Sequence, residues 1–399
     1  MIVTSVSSPR RSPSAILHRA CDFRKAVDKI CHMSSVAERV LGLIEASGMS
    51  RRAFGQRIGL DESKMSKSLS GARRFSSVDL ARIAELCQVT VDWLITGDEP
   101  PLAMAARTTG GSATKAITAA RRYSTLRADM ASFGYPQPWR PLTLGPTNGG
   151  YADQGRRLAH AALTRLTQAG RSVATGNLAD VIEAVFGADV AVVELGPGFD
   201  GLATSSQHVK LILMATSHVP ARQRFTLAHE LAHLLTDDNQ DVHLDRDVYD
   251  KSQAKDPSEM RANAFAAAFL MPEDILRAAA GPTGFTDDTF AALACDLIVT
   301  PSALAYRLLQ LRLIDAGTCD RFKSLTAAKA AHVAGRGEVF AHLVTEAARP
   351  RPPGLLVRDT YAAYEAGAAT LRPYASLLGV DVDQLRRGIE LEHGTHDAP

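Results

Sequence analysis

No apolar run in the chain approaches the roughly 18 residues needed to cross a bilayer, and the N-terminus lacks the apolar core of a secretory signal. Both absences argue against a membrane-embedded or exported protein. Cysteine is scarce as well: Cys21, Cys31, Cys87, Cys295 and Cys319 are odd in number and scattered, without the paired spacing of a zinc ribbon or a disulfide framework. A reducing, cytoplasmic setting without a membrane partner follows as the expectation. Neither sign of charge is in excess, the formal net charge being +2, so a nucleic-acid role has to rest on local clusters. What the 399 residues do have is apolar mass, 46% against 22% charged, which is enough for two or more cores and, by length, two or three domains.

Residues 1–32 are rich in Ser and Arg, as in Ser8-Pro-Arg-Arg-Ser-Pro-Ser14, and read as a disordered basic extension. Ordered patterning starts just after Met33, which makes Met33 a candidate start of translation; an arm that grips DNA is the other reading of these residues. Across 33–98 the pattern is one of short helices on short connections. Val36, Val40, Leu41 and Ile44 make one helical face ended by Gly48. Ser50 caps a second helix carrying Phe54 and Ile58, Gly59 permits a tight turn, and Asp61 caps a third with Met65 and Leu69. Ser77–Cys87 gives a fourth amphipathic helix, and Val91–Gly97 a short fifth whose Trp93 and Leu94 close the core.

This five-helix segment resembles the Cro/repressor-like (Xre) helix-turn-helix domains, down to the Asp-Trp-Leu-x-x-Gly ending at Asp92 to Gly97. The resemblance implies that the third helix enters the major groove of double-stranded operator DNA. Glu62, Ser63, Lys64 and Lys67 then become the base readers, and Arg51, Arg52, Arg57, Arg73 and Arg74 the phosphate contacts. Ser68 departs from the family, which usually has an apolar residue there. The competing reading is a protein-interaction module whose charges form a solvated face.

Residues 99–150 mix Pro, Gly, Thr and Ala around a basic helical patch at Arg121 to Arg127, the composition of a linker with one short helix and hence of a mobile first module. Longer patterns then resume. Helices are expected over roughly Gln154 to Ala169 and over Leu178–Phe186, the latter stopped by Gly187. Three β-rich segments follow, Val190–Leu195, Gly201–Ser205 and Val209–Met214, predicting a small three-stranded sheet. Past Pro272 the chain reads as helical. The boundaries are set at 151–280 for the sheet-bearing domain, 281–348 for a second helix-turn-helix-like region, and 349–399 for a C-terminal helical segment and tail. The fold class is mainly α with a small sheet, α+β.

Between the sheet and that helical region lies Phe225-Thr-Leu-Ala-His-Glu-Leu-Ala-His-Leu-Leu235. On a helix, His229 and His233 stack one turn apart and can share a metal ion, the geometry of a zinc site. Glu230 lies about 100° round the helix, placed to reach a metal-bound water as general base. Leu227, Leu231, Leu234 and Leu235 make the helix apolar almost all round, so two imidazoles and a carboxylate are costly there without a metal or hydrogen-bond partners. Ordinary core histidines are the bland alternative.

A catalytic zinc takes three protein ligands. Thr236 and Asn239 stand where a metzincin has Gly and His, which excludes that class and leaves Asp237, Asp238, His243 and Glu259 as candidates. Glu259 is preferred because it opens a helical run of small residues and shares a face with Asn263, which can hold a ligand from behind. A solvated carboxylate stabilised by the helix dipole accounts for Glu259 equally well at this point. The stretch Phe225–Leu235, followed by Glu259-x-x-Ala-Asn-x-Phe-Ala and Leu270-Met-Pro, resembles the ImmA/IrrE family of bacterial metallopeptidases over about 152–315. That resemblance implies a zincin-like peptidase domain with His229, His233 and Glu259 as Zn2+ ligands and Glu230 as catalytic acid/base. It further implies a protein substrate, namely an Xre-type repressor cleaved in a stress or mobile-element response. The alternative is a non-proteolytic Xre-family regulator whose peptidase-like domain senses a metal or ligand. Monomer and homodimer are both left open.

Overall fold

The computed structural model describes residues 35–47, 49–87, 91–96, 111–143, 149–174, 177–195, 199–206, 209–236, 243–245, 256–281 and 284–396. The chain divides into two units, Met1–Gly110 and Gly111–Pro399. The expected 1–32 extension, Asp237, Asp238 and the side chain of Trp93 lie outside the described residues.

In the first unit the five predicted helices form as α1 (Val36–Ser47), α2 (Arg51–Arg57), α3 (Glu62–Leu69), α4 (Ser77–Cys87) and α5 (Val91–Thr96). Their starts follow the predicted capping chemistry: the Ser50 hydroxyl accepts from Ala53 N and the Asp61 carboxylate from Lys64 N at 2.7 Å. Gly59 takes φ +71° in the α2–α3 turn, where any Cβ would also press on the Arg82 guanidinium. Val40, Leu43, Ile44, Phe54, Ile58, Met65, Ile83 and Leu94 fill the core, with Leu43 rather than Leu41 pointing inward. Buried Arg39 donates to the carbonyls of Leu94 and Ile95, tying α1 to α5.

The second unit opens with α6 (Gly111–Ser132), then α7 (Tyr151–Gln168) and α8 (Leu178–Phe186). Residues 111–143, expected within a linker, therefore fold onto this unit, and α6 is a 22-residue helix. The physical reason lies in the basic patch itself. Arg127 is fully buried, donates two hydrogen bonds to Asp189 at 2.7 and 2.8 Å, and donates a third to Asp359 at 2.6 Å. A charge so placed holds α6 in the fold rather than facing it to solvent.

The predicted strands form as β1 (Asp189–Val193), β2 (Gly201–Ser205) and β3 (Lys210–Ala215), with β1 parallel to β3 and β3 antiparallel to β2. A short β4 (His243–Asp245) adds an antiparallel edge on β2, giving the order β1-β3-β2-β4. Gly187 ends α8 at φ +76°, so close to the Pro138 carbonyl that no Cβ fits. The metal-motif helix is α9 (Pro220–Thr236), which packs on β2 and β3, and α10 (Pro257–Leu270) packs on α9 and α7.

Then come α11 (Glu273–Ala279), α12 (Asp287–Leu297), α13 (Pro301–Gln310), α14 (Ala316–Lys323), α15 (Ala327–Val333), α16 (Gly337–Ala347), α17 (Gly354–Glu365), α18 (Arg372–Leu378) and α19 (Val382–His396). Between α12 and α13 the chain turns through Ile298 at φ 51°. Among the described residues no single helix is long and apolar enough to cross a membrane; α12 and α13 reach that composition only as a pair bent by 106°. The C-terminal segment covers the β1 edge. Arg351 exchanges backbone hydrogen bonds with Val192 at 2.8 Å in both directions, and its guanidinium pairs with Asp180 and Glu183.

Candidate metal centre

Pro220 starts α9 at a position that needs no backbone donor, and the Leu/Ala-rich sequence after it favours a helix. One turn apart on this helix, the rings of His229 and His233 lie with centroids 4.8 Å apart. Their Nε2 atoms approach to 3.0 Å. Glu259 comes from α10, whose first turn is set by Asp256 capping the amides of Ser258 and Glu259 with Pro257 between them. Its two carboxylate oxygens each stand 3.3 Å from an Nε2, one from His229 and the other from His233.

Two nitrogens bound at 2.0–2.1 Å to a tetrahedral zinc would be separated by roughly 3.3 Å, so these donors fit a single ion. His229, His233 and Glu259 are all buried, and each offers a ligand atom within 4.8 Å of the others. Burial pushes the Glu259 carboxyl upward, but the hydrogen bonds and charge of the two imidazoles outweigh it and hold the group well below the usual carboxylate range. This is an anionic oxygen facing two imidazole nitrogens, the donor chemistry of a His2Glu site.

Asn263 Oδ1 lies 3.2 Å from His229 Nδ1. In the neutral ring, Nδ1–H donating to that oxygen leaves the Nε2 lone pair directed at the centre. Glu230 is fully buried, and its carboxylate lies against β2: a Cβ at Gly201 would sit 3.3 Å from Glu230 Oε1 and 2.8 Å from the Thr226 methyl. The missing side chain at Gly201 makes room for the carboxylate next to the histidines.

Of the four candidates for a third ligand, Glu259 joins the histidines. His243 is described only through its backbone, which pairs with Ala203 in β4. On the first unit, Glu62, Ser63, Lys64 and Lys67 are exposed on α3, and Arg51, Arg52, Arg57 and Arg74 are exposed around it. Arg73 is different. It donates to the buried Ser68 hydroxyl and pairs with Asp79, both at 2.9 Å, which explains how a serine fits where the resemblance expects an apolar residue. Sequence reasoning missed Gly201, whose only signal was a glycine opening a strand, and the buried role of Arg127, which one dimension does not distinguish from a surface patch.

Residues 188–309 match the model of the IrrE N-terminal-like domain, and residues 42–94 match that of a helix-turn-helix domain. The first match continues past the expected boundary at 280 to take in α12 and most of α13. Two curated relatives, each a radiation response metalloprotease IrrE, are similar to part of the chain. The protein of Deinococcus radiodurans is 37% identical over 126 residues, 31% of this chain and 37% of that protein. The protein of Deinococcus deserti is 36% identical over 113 residues, 27% of this chain and 38% of that protein. The chain thus spans well under half the length of either relative. By these matches the second unit contains an IrrE N-terminal-like domain, and the first unit contains a helix-turn-helix domain.

Proposed function

We propose that the chain is a DNA-associated zinc metallopeptidase that regulates transcription by cutting a protein, an Xre-type repressor being the substrate that the family resemblance suggests. The observation that carries this reading is the convergence of His229, His233 and Glu259, with Glu230 buried on the helix that bears both histidines. The relatives' description as metalloproteases supports it. His229 Nε2, His233 Nε2 and a Glu259 oxygen would hold the ion. When bound, zinc supplies Lewis-acid polarisation of a peptide carbonyl and acidifies water. Glu230 takes the proton of the attacking water and passes it to the leaving amine. Asn263 keeps the His229 ring in its ligating tautomer.

On the first unit, α3 reads the operator through Glu62, Ser63, Lys64 and Lys67, while Arg51, Arg52, Arg57 and Arg74 bind phosphates. The two activities together bring a peptidase to promoter DNA. Co-expressing the chain with candidate helix-turn-helix repressors tests the reading. Intact chain should yield repressor fragments, and Glu230→Gln should bind metal and DNA while yielding none. Regulation that persists unchanged in Glu230→Gln would replace proteolysis with the sensor alternative.

A further inference from the structure

We propose that a cavity of about 400 Å3 at the N-terminal end of α9 binds a small, mostly apolar acid. Its walls are Val219 and Pro220 at the start of α9, Ile298 in the α12–α13 turn, Leu325 ahead of α15, and Phe340 and Leu343 of α16. The volume falls in the roughly 300–1,000 Å3 range of small-molecule sites, which are likewise mostly apolar with a few polar groups. This is not the metal centre. His229 lies nine residues beyond Pro220, roughly 13–14 Å along the helix at 1.5 Å per residue.

The void is held open by its own frame. At one end of α16, the Ala347 carbonyl accepts hydrogen bonds from Ser217 N and Gln223 Nε2, both at 2.9 Å. At the other, Arg336 forms an ion pair with Asp296 of α12. Tied at both ends, α16 buries only Ala347, although Val339, Phe340 and Leu343 are apolar; Val339 stays 57% exposed. The pocket is open to solvent along this helix, so its apolar walls lie against water and forgo the contacts that a ligand would restore. Burying apolar surface there favours binding in proportion to area.

The lining also says what the other end of the ligand carries. Arg336 and His218 face the cavity with the hydroxyl residues Thr300, Ser302 and Thr326. A guanidinium has five N–H donors, and Asp296 engages Arg336 through Nη1, leaving donors for an acidic group. The ligand class is therefore an apolar body with one anionic end.

Two dyes test this on the full-length chain: 1-anilinonaphthalene-8-sulfonate, apolar with an anionic group, and neutral N-phenyl-1-naphthylamine. Both should bind saturably at one site, with Leu343→Trp and Val339→Trp each weakening both dyes by about tenfold or more. Arg336→Gln should weaken the sulfonate dye more than the neutral dye, whose affinity reads any effect of losing the Asp296 tie. Val339→Trp is the decisive variant should Leu343→Trp fail to fold, since position 339 is largely exposed. Val380→Trp, at an open cleft beside Tyr361 and Tyr374, should leave both affinities unchanged. Unsaturable binding, unchanged affinity in Val339→Trp, or loss on Val380→Trp instead would overturn the site. Equal weakening of both dyes by Arg336→Gln would overturn the acidic end. A sedimenting dimer that the dyes disperse would make the cavity a contact between copies and overturn it as well.

Discussion

With Asn263 Oδ1 3.2 Å from His229 Nδ1, one amide side chain sets which imidazole nitrogen faces Glu259. Asn263→Leu keeps the volume but removes the acceptor, so metal affinity should fall about 10–100-fold, the usual cost of losing such a support. Competition against a chromophoric chelator would measure it, and unchanged affinity would remove Asn263 from the site. Loss of the ion should be far more complete in Glu259→Ala, while His243→Ala retains it; elemental analysis of purified variants separates the two. The same scale decides what Arg73 does. Its guanidinium satisfies buried Ser68 and Asp79, so Arg73→Met should cost the first unit about 1–3 kcal/mol by stranding polar groups. Arg74→Ala, exposed and outside that network, should weaken DNA binding with no change in melting.

Between elements, the position of Glu259 depends on how closely α10 can approach α7. At Gly155 on α7 a Cβ would lie 2.2 Å from the Arg261 carbonyl and 2.9 Å from Phe265 N, both backbone atoms of α10 that cannot turn aside. Gly155→Ala therefore has to separate the helices, at a cost of typically about 1–3 kcal/mol or more for an overpacked interface. Metal affinity should drop along with melting temperature, because Glu259 and Asn263 move with α10; a variant that melts lower but holds metal at full affinity would uncouple the two. The small residues of the 259–270 run announced such an approach, and the three strands, the caps at Ser50 and Asp61 and the stop at Gly187 were legible in their own places. These are local signals, written within a turn or two of where they act. Arg127 carries no such signal, since its partners Asp189 and Asp359 are brought to it by folding. Nor did the sequence announce that Arg351 pairs with the edge of β1, for an isolated bridge has no periodicity of its own.

Across the whole second unit, Arg127 joins α6, β1 and α17, three elements far apart in sequence, through two buried carboxylates. Such a cluster is weak evidence for net stability while intact, but removing one member leaves uncompensated charge. Arg127→Leu should cost about 3–5 kcal/mol. The pH dependence follows from Asp189, whose carboxyl burial pushes up to about 6 even against the pull of Arg127. A folded value above the ordinary carboxylate value of about 4 means that the native state binds more protons across that interval, so this group's contribution to stability declines as pH rises through it. Without the guanidinium the folded value rises further and the decline reaches to higher pH. The loss in Arg127→Leu should thus be larger near about pH 7.5 than near about pH 5, where a protonated Asp189 is tolerated. Hydrogen exchange of the β1 amides at the two pH values reads this within the second unit alone. A loss that is equal at both would show that the carboxylates find other partners once Arg127 is gone.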